Sequence, residues 1–418
     1  MYNSKWFLFL VGLFFLISCS DDDNNGILPK PSVPPEVVEK DELQVRWKLL
    51  KEFTFEELQE AEKKLGIKIL LGDTVYKGNI QMQALKVTCK SAHPDGSGQK
   101  IDLSGMILMP PAIDSTAQHR IVVAMPYTYV KNSQAPTSQF TDYNVSNLEA
   151  YMIFWMIKAS QGYIVIIPDY PGFGDSHGKC FVPYIESKSM VRTTFDFLRA
   201  ARVTLDKNNF AGKTGIVVTG YSLGGFVAAS LVRELETNPK DGYAVDLLYV
   251  GGAPLRLKQI SDLVRKAETL ETPYLIPYAI WGYKKNSYPD LSVKDILNEP
   301  YASESDAYFD GNHAGIGNLF PKSVNKLFTN NFIIGKGNTY TYVSKILDEN
   351  SVKPWINKCR FVMIHGQKDE TVYYANAVDY VQEHKAAGGK VTFIPNIVGT
   401  HTSTGIFYFV NMLLQLPQ

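Results

Sequence analysis

Gly215-Ile216-Val217-Val218-Thr219-Gly220-Tyr221-Ser222-Leu223-Gly224-Gly225-Phe226 is the stretch of sequence that decides the fold. Ile216 to Thr219 is a short β-branched run of the kind buried on both faces of a sheet. Gly220-x-Ser222-x-Gly224 then reads as a tight turn, and Phe226, Ala229, Leu231, Val232 and Leu235 supply a helix with few side chains to obstruct its docking. A strand that delivers a serine into a sharp bend, with a helix leaving at once, exposes the hydroxyl at the edge of a sheet. A second match to the same pattern, Gly174-Asp175-Ser176-His177-Gly178, has no such setting. It follows Pro168-Asp169-Tyr170-Pro171-Gly172 and is soon followed by Pro183, so Ser176 reads as a loop residue. Ser222 is the candidate nucleophile.

Outward from that turn, strand and helix alternate. Ile121 to Met125, Tyr163 to Pro168, Leu247 to Val250, Phe361 to His365 and Val391 to Pro395 are further short apolar runs. Helical patterns separate several of them. Ser146 and Glu149 are expected to cap a helix over Leu148 to Ala159, and Val191, Phe195 and Leu198 mark one ending near Val203. The alternation predicts an α/β fold, a mainly parallel sheet flanked by helices. Ile80 to Cys89 and Lys100 to Met109 predict an antiparallel hairpin around a turn-rich link. Thr54 with Glu57 forms a capping box for a helix that Gly66 closes, within an N-terminal addition over about 39–70. From about 255 to 353 the rhythm breaks into helical pieces without a clear strand, which predicts a mostly helical cap insertion. Its Tyr274, Tyr278 and Trp281 are candidates to line an apolar pocket, plain core being the alternative.

The 418 residues are 45% apolar and carry 42 Lys plus Arg against 42 Asp plus Glu, a composition that argues against a disordered chain and, with no basic run of five or more residues, against simple nucleic-acid binding. Lys5 precedes an apolar stretch from Trp6 to Ile17, too short to span a membrane and matching a secretory signal peptide over 1–18. Leu16-Ile17-Ser18-Cys19 resembles the lipobox of bacterial lipoproteins, which implies lipidation of Cys19. The following Ser20-Asp21-Asp22-Asp23 resembles the acidic signal of lipoproteins displayed on the bacterial surface. The expectation is a proline-rich tether over 19–38, a folded domain over 39–418, and an outer-membrane protein that meets the membrane through its anchor alone. Cys89, Cys180 and Cys359 are too few and too widely spaced for a zinc-type pairing, and no disulfide is assigned.

From about Ile80 to the C-terminus the chain resembles the α/β-hydrolase family. Pro168-Asp169-Tyr170-Pro171-Gly172-Phe173-Gly174, Leu198-Arg199-Ala200-Ala201-Arg202 and the Ser222 turn followed by Gly251-Gly252-Ala253-Pro254 are similar to secreted bacterial and fungal lipases and esterases. The resemblance implies the chain order nucleophile, acid, histidine. Val362-Met363-Ile364-His365-Gly366 leads to Asp369 in a segment like the family's H-G-x-x-D acid loop, with Glu370 as rival. His401, on a loop after the last strand and before a helix over Ile406 to Leu416, takes the place of the base; His365 precedes the acid and has the wrong order.

A serine hydroxyl needs a base to remove its proton, and that base needs an anion to orient it. The resemblance implies oxyanion donors at the Leu223 N–H and at Tyr127 or Thr128, although Met125-Pro126-Tyr127-Thr128 departs from the H-G-G-G pattern of many esterases. The expected activity is hydrolysis of a carboxylic ester through an acyl-serine, on a small-molecule, glycan or lipid ester. No cofactor or metal is implied, since neither H-E-x-x-H nor a strand-flanked G-x-G-x-x-G occurs. The alternatives are a serine peptidase using the same triad, or a non-catalytic glycan- or lipid-binding protein on the same scaffold.

Overall fold

The computed structural model describes residues 42–66, 78–111, 119–141, 143–210, 212–239, 242–313 and 315–416. The leader, Cys19 and the tether lie outside the described residues. Nine strands form one sheet: β1 (Arg46–Thr54), β2 (Ile80–Ala92), β3 (Lys100–Met109), β4 (His119–Met125), β5 (Ile164–Pro168), β6 (Gly212–Tyr221), β7 (Ala244–Gly251), β8 (Arg360–Gly366) and β9 (Thr392–Asn396). Their order is β1-β2-β3-β5-β4-β6-β7-β8-β9. The pairs from β1 through β3 to β5 are antiparallel, and every pair from β5 through β4 to β9 is parallel. The longer helices are α1 (Phe55–Lys64), α2 (Ala150–Ser160), α3 (Ser187–Lys207), α4 (Leu223–Thr237), α5 (Leu257–Lys266), α6 (Leu275–Lys285), α7 (Asn338–Asn350), α8 (Tyr374–Ala386) and α9 (His401–Gln415).

The β-branched run of β6 explains its central place. Ile216, Val217, Val218 and Thr219 are all buried, and alternate side chains enter opposite cores. Ile216 and Val218 join the core that holds Phe197 of α3, Phe226 of α4 and the cap residues. Val217 joins the core that holds Trp155 of α2 and Tyr408 of α9. Each buried aliphatic side chain here contributes about 1.5–3 kcal/mol by leaving water, and the Thr219 hydroxyl is satisfied by donating to Tyr249 O at 2.8 Å.

Strand order turns around at β4, which lies between β5 and β6. Such reversals open a crevice at the carboxyl ends of the strands. Met125, the last residue of β4, pairs with Gly220, so the loop leaving β4 and the turn leaving β6 start side by side.

Several sequence expectations change. The N-terminal addition contains an edge strand, β1, before its helix. Only Phe53 of this strand is fully buried, and a register shift between Leu49 and Lys51 breaks the alternation that would have marked it. The capping box at the start of α1 is present: Thr54 N–H donates to Glu57 Oε2 at 3.0 Å, and Glu57 N–H to Thr54 Oγ1 at 3.4 Å. Ser146 and Glu149, in contrast, do not form one. Asn144 receives the Ser146 N–H at 2.8 Å above a 3-10 turn, Val145–Asn147, and α2 begins only after Glu149. The Glu149 carboxylate instead accepts Tyr127 Oη at 2.6 Å and Gln134 Nε2 at 3.2 Å. α3 runs past Val203 to Lys207, and α9 starts at His401 rather than near Ile406. Between β7 and β8 the chain is helical, with two isolated bridges, Thr269 to Ser323 and Leu297 to Phe328. Among the described residues no helix is long and apolar enough to cross a membrane.

Candidate active site

Ser222 has φ 56° and ψ −122°, a conformation that costs an L-residue on the order of 1–3 kcal/mol. Its neighbours hold it there. Ser222 N–H donates to Gly251 O at 2.8 Å, which ties the bend to the end of β7, and Phe226 N–H donates to Ser222 O at 3.1 Å, which starts α4. The flanking glycines answer to close approach. A Cβ on Gly220 would stand 2.2 Å from the Gly224 backbone, and one on Gly224 would stand 2.2 Å from Met125 O. The G-x-S-x-G spacing therefore lets α4 begin directly beneath the serine and against the β4 loop.

The acid loop and the final loop meet above β8 and β9. Gln367 N–H donates to Asn396 O at 2.9 Å and Lys368 N–H to Gly399 O at 3.0 Å. Asp369, buried, accepts Thr371 N–H at 3.0 Å and Val372 N–H at 2.8 Å on Oδ1. That leaves Oδ2 for His401 Nδ1, 2.7 Å away. His401 is the first residue of α9, whose cap Thr400 accepts Ser403 N–H at 3.3 Å. With Nδ1 donating to the carboxylate, Nε2 is the acceptor for Ser222 Oγ at 3.0 Å. The structure thus links Ser222, His401 and Asp369 in one hydrogen-bonded relay.

The rivals are placed elsewhere. His365 is fully buried; its Nε2 donates to Val372 O at 2.7 Å and lies 3.4 Å from Asp369 Oδ2. Burial pushes this imidazole below its ordinary value despite the carboxylate, so it braces the acid loop as a neutral ring. Glu370 is exposed at the edge of the cavity. Ser176 is buried, its Oγ donating to Phe173 O at 2.8 Å and accepting Gly172 N–H at 2.9 Å.

Leu223 opens α4, so its N–H has no carbonyl one turn earlier to bond. The loop after β4 lies against it, held by phenols: Tyr170 Oη donates to Pro126 O at 2.7 Å, and Tyr127 Oη to Glu149. The Tyr127 side chain is therefore engaged away from the serine, which leaves main-chain N–H groups of Tyr127 and Thr128 as the candidate donors. Thr128 Oγ1 and Tyr184 Oη share a hydrogen bond of 2.9 Å.

Ser222 opens into a cavity of about 1090 Å³, its mouth included, whose wall is mostly apolar. α5 contributes Leu257, Ile260 and Val264, and α7 contributes Val343, Ile346 and Leu347. α6 contributes Leu275, Ile276, Ala279, Ile280 and Tyr283, one face of a 3.6-residue helix. Tyr274, Tyr278 and Trp281 do not line this cavity. Tyr278 is buried between Tyr184 and Phe309, with ring centroids at 4.5 and 4.6 Å, and Trp281 Nε1 donates to Ser305 Oγ at 2.9 Å. Tyr274 packs toward Gly317. Tyr278 and Trp281 hold the cap together from within, and the α6 face that borders the cavity is aliphatic apart from Tyr283. Tyr184 and Ile185, which the sequence did not single out, also line it and meet α6, Tyr184 through its stack on Tyr278 and Ile185 O by accepting Tyr283 Oη at 3.1 Å; Ile185 has φ 50°, rare for a β-branched residue.

The secretory lipase family model matches residues 137–412. No curated protein matches the chain significantly. Among solved structures, a candidate hydrolase from Legionella pneumophila superposes with a TM-score of 0.73 at 21% identity, over 88% of this chain and 95% of that one. The rice cell wall degrading esterase LipA from Xanthomonas oryzae gives 0.68 at 19% identity over 89% and 95%. Candida antarctica lipase A in its closed state gives 0.62 at 14% identity over 88% and 80%. The shared architecture is the α/β-hydrolase fold.

Proposed function

The chain belongs to the secretory lipase family, and we propose that it hydrolyses carboxylic esters through an acyl intermediate on Ser222. What carries this reading is the relay from Ser222 Oγ through His401 to Asp369, at 3.0 and 2.7 Å, at the mouth of an apolar cavity. His401 Nε2 takes the hydroxyl proton as Ser222 Oγ attacks the ester carbonyl. The negative charge that develops on the carbonyl oxygen is met by the Leu223 N–H and by an N–H of Tyr127 or Thr128. Each such donor contributes about 2.7–4 kcal/mol to the transition state. Collapse breaks the bond to the alcohol, which leaves with the proton from His401. Water, deprotonated by the same imidazole, then releases the acid and restores Ser222. Asp369 fixes the tautomer and stabilises the imidazolium throughout. The cavity wall favours an apolar acyl group.

A panel of esters of increasing acyl length, acetylated glycans, aromatic esters and matched amides tests this, using protein that starts at Ser20. Ester turnover is expected to exceed amide turnover. Ser222→Ala is expected to lower kcat by about a millionfold with the fold intact, and a fluorophosphonate is expected to label Ser222. Folded wild-type protein that turns over no ester and takes no label would defeat the proposal. We also propose that Cys19 carries a lipid anchor that holds the exported enzyme at the outer membrane.

A further inference from the structure

Beside the relay lies a second link between the nucleophile's bend and the base. Tyr221, the residue before Ser222, sends its phenol to the main chain of His401: Oη donates to His401 O at 2.5 Å. The ring lies 5.2 Å from the imidazole, centroid to centroid, and 5.3 Å from Tyr408. Its path is lined by residues that lack side chains. A Cβ on Gly251 or on Gly252 would stand 2.7 Å from the Tyr221 ring, and one on Gly405 would stand 3.3 Å away. These glycines come from the end of β7, the link after it, and the first turns of α9. We propose that Tyr221 is a positioning residue for the base: Ser222 Oγ engages the imidazole while the adjacent phenol fixes the main chain that carries it. This rests on the ester hydrolase reading above.

The need is geometric. His401 opens α9 and its imidazole hydrogen-bonds Ser222 and Asp369, so the Tyr221 bond to its carbonyl adds a fixed point on the main chain beside the Thr400 cap and the Asn396 bond to Thr404. A misplacement of about 1 Å costs on the order of a hundredfold in rate. Burial, reinforced by the nearby carboxylates of Asp369 and Glu370, raises the phenol above its ordinary value and keeps it a donor.

Tyr221→Phe removes the hydrogen bond and keeps the ring. With the best ester of the panel, kcat per fluorophosphonate-titrated site is expected to fall by about 10- to 100-fold while KM stays within about twofold, and the rate constant of fluorophosphonate labelling to fall with it. Unchanged kcat per titrated site would overturn the proposal, including the case where the variant merely folds less often, because titration counts only competent sites. If wild-type protein neither turns over esters nor takes the label, the functional reading fails, and this one with it. A wild-type enzyme matched by Tyr221→Phe sinks this inference alone.

Discussion

Histidine shows how differently one residue type is used within this chain. His401 is half-buried, whereas His365 and His384 are wholly buried. His384 stands edge-on to Trp355 and Phe361 and stacks on Tyr380, with Nε2 at 3.1 Å from Asn357 Oδ1. Burial pushes it down to about 4, against a smaller opposing pull from Glu236. His365 is lowered for the same first cause. In the unfolded chain both titrate near 6.5. Below that value the unfolded state binds protons that the native state excludes, so stability is full above about pH 6.5 and is lost as pH falls, for His384 down to about 4. The slope is at most about 1.4 kcal/mol per pH unit for each imidazole. Urea midpoints measured from pH 7 to 4.5 are expected to fall, and less steeply in His384→Phe, whatever that variant's stability at pH 7. Equal slopes in the two proteins would count against the assignment.

At the scale of elements, α6 turns one face to the cap interior and the other to the cavity. Tyr278 and Trp281 join the interior of the cap, and Leu275, Ile276, Ala279, Ile280 and Tyr283 border the cavity. Ala279 is the smallest side chain that α6 presents there. Ala279→Trp is expected to fill the space an acyl chain needs, lowering kcat/KM for long-chain esters by about tenfold or more while acetyl esters change by less than about threefold. An acyl-length profile indistinguishable from wild type, in folded protein, would show that the acyl group lies elsewhere. The same element shows why the pocket was misread from sequence. Aromatic content marks Tyr274, Tyr278 and Trp281 in the sequence, but which face of a buried helix meets a cavity depends on neighbours such as Tyr184 and Phe309 that are distant in sequence.

For the whole molecule, equal numbers of acidic and basic residues leave no net charge to drive adsorption to an anionic membrane. The lipid anchor proposed at Cys19 is the part of the reading that a membrane assay tests. Cells expressing the full chain and fed labelled palmitate are expected to incorporate label into it, and Cys19→Ala is expected to abolish this and release the protein from the membrane fraction. Unlabelled wild-type protein recovered entirely in the soluble fraction would refute the anchor.

The strand runs around β6, the turn at Ser222 and the helix after it were legible because local patterns coincide there: a β-branched run, two glycines at fixed spacing, and small residues on the following helix. Asp369 and His401 were reached through family resemblance and chain order, since nothing in Gln367-Lys368-Asp369-Glu370 distinguishes the two carboxylates locally. What separates them is tertiary. The Thr371 and Val372 amides and His401 engage Asp369, while Glu370 stays exposed. The edge strand β1, the start of α9 and the cavity wall escaped the sequence for a common reason. Local sequence reports how a segment prefers to fold, whereas partners across the sheet and across the cap decide which face is buried and which atoms meet.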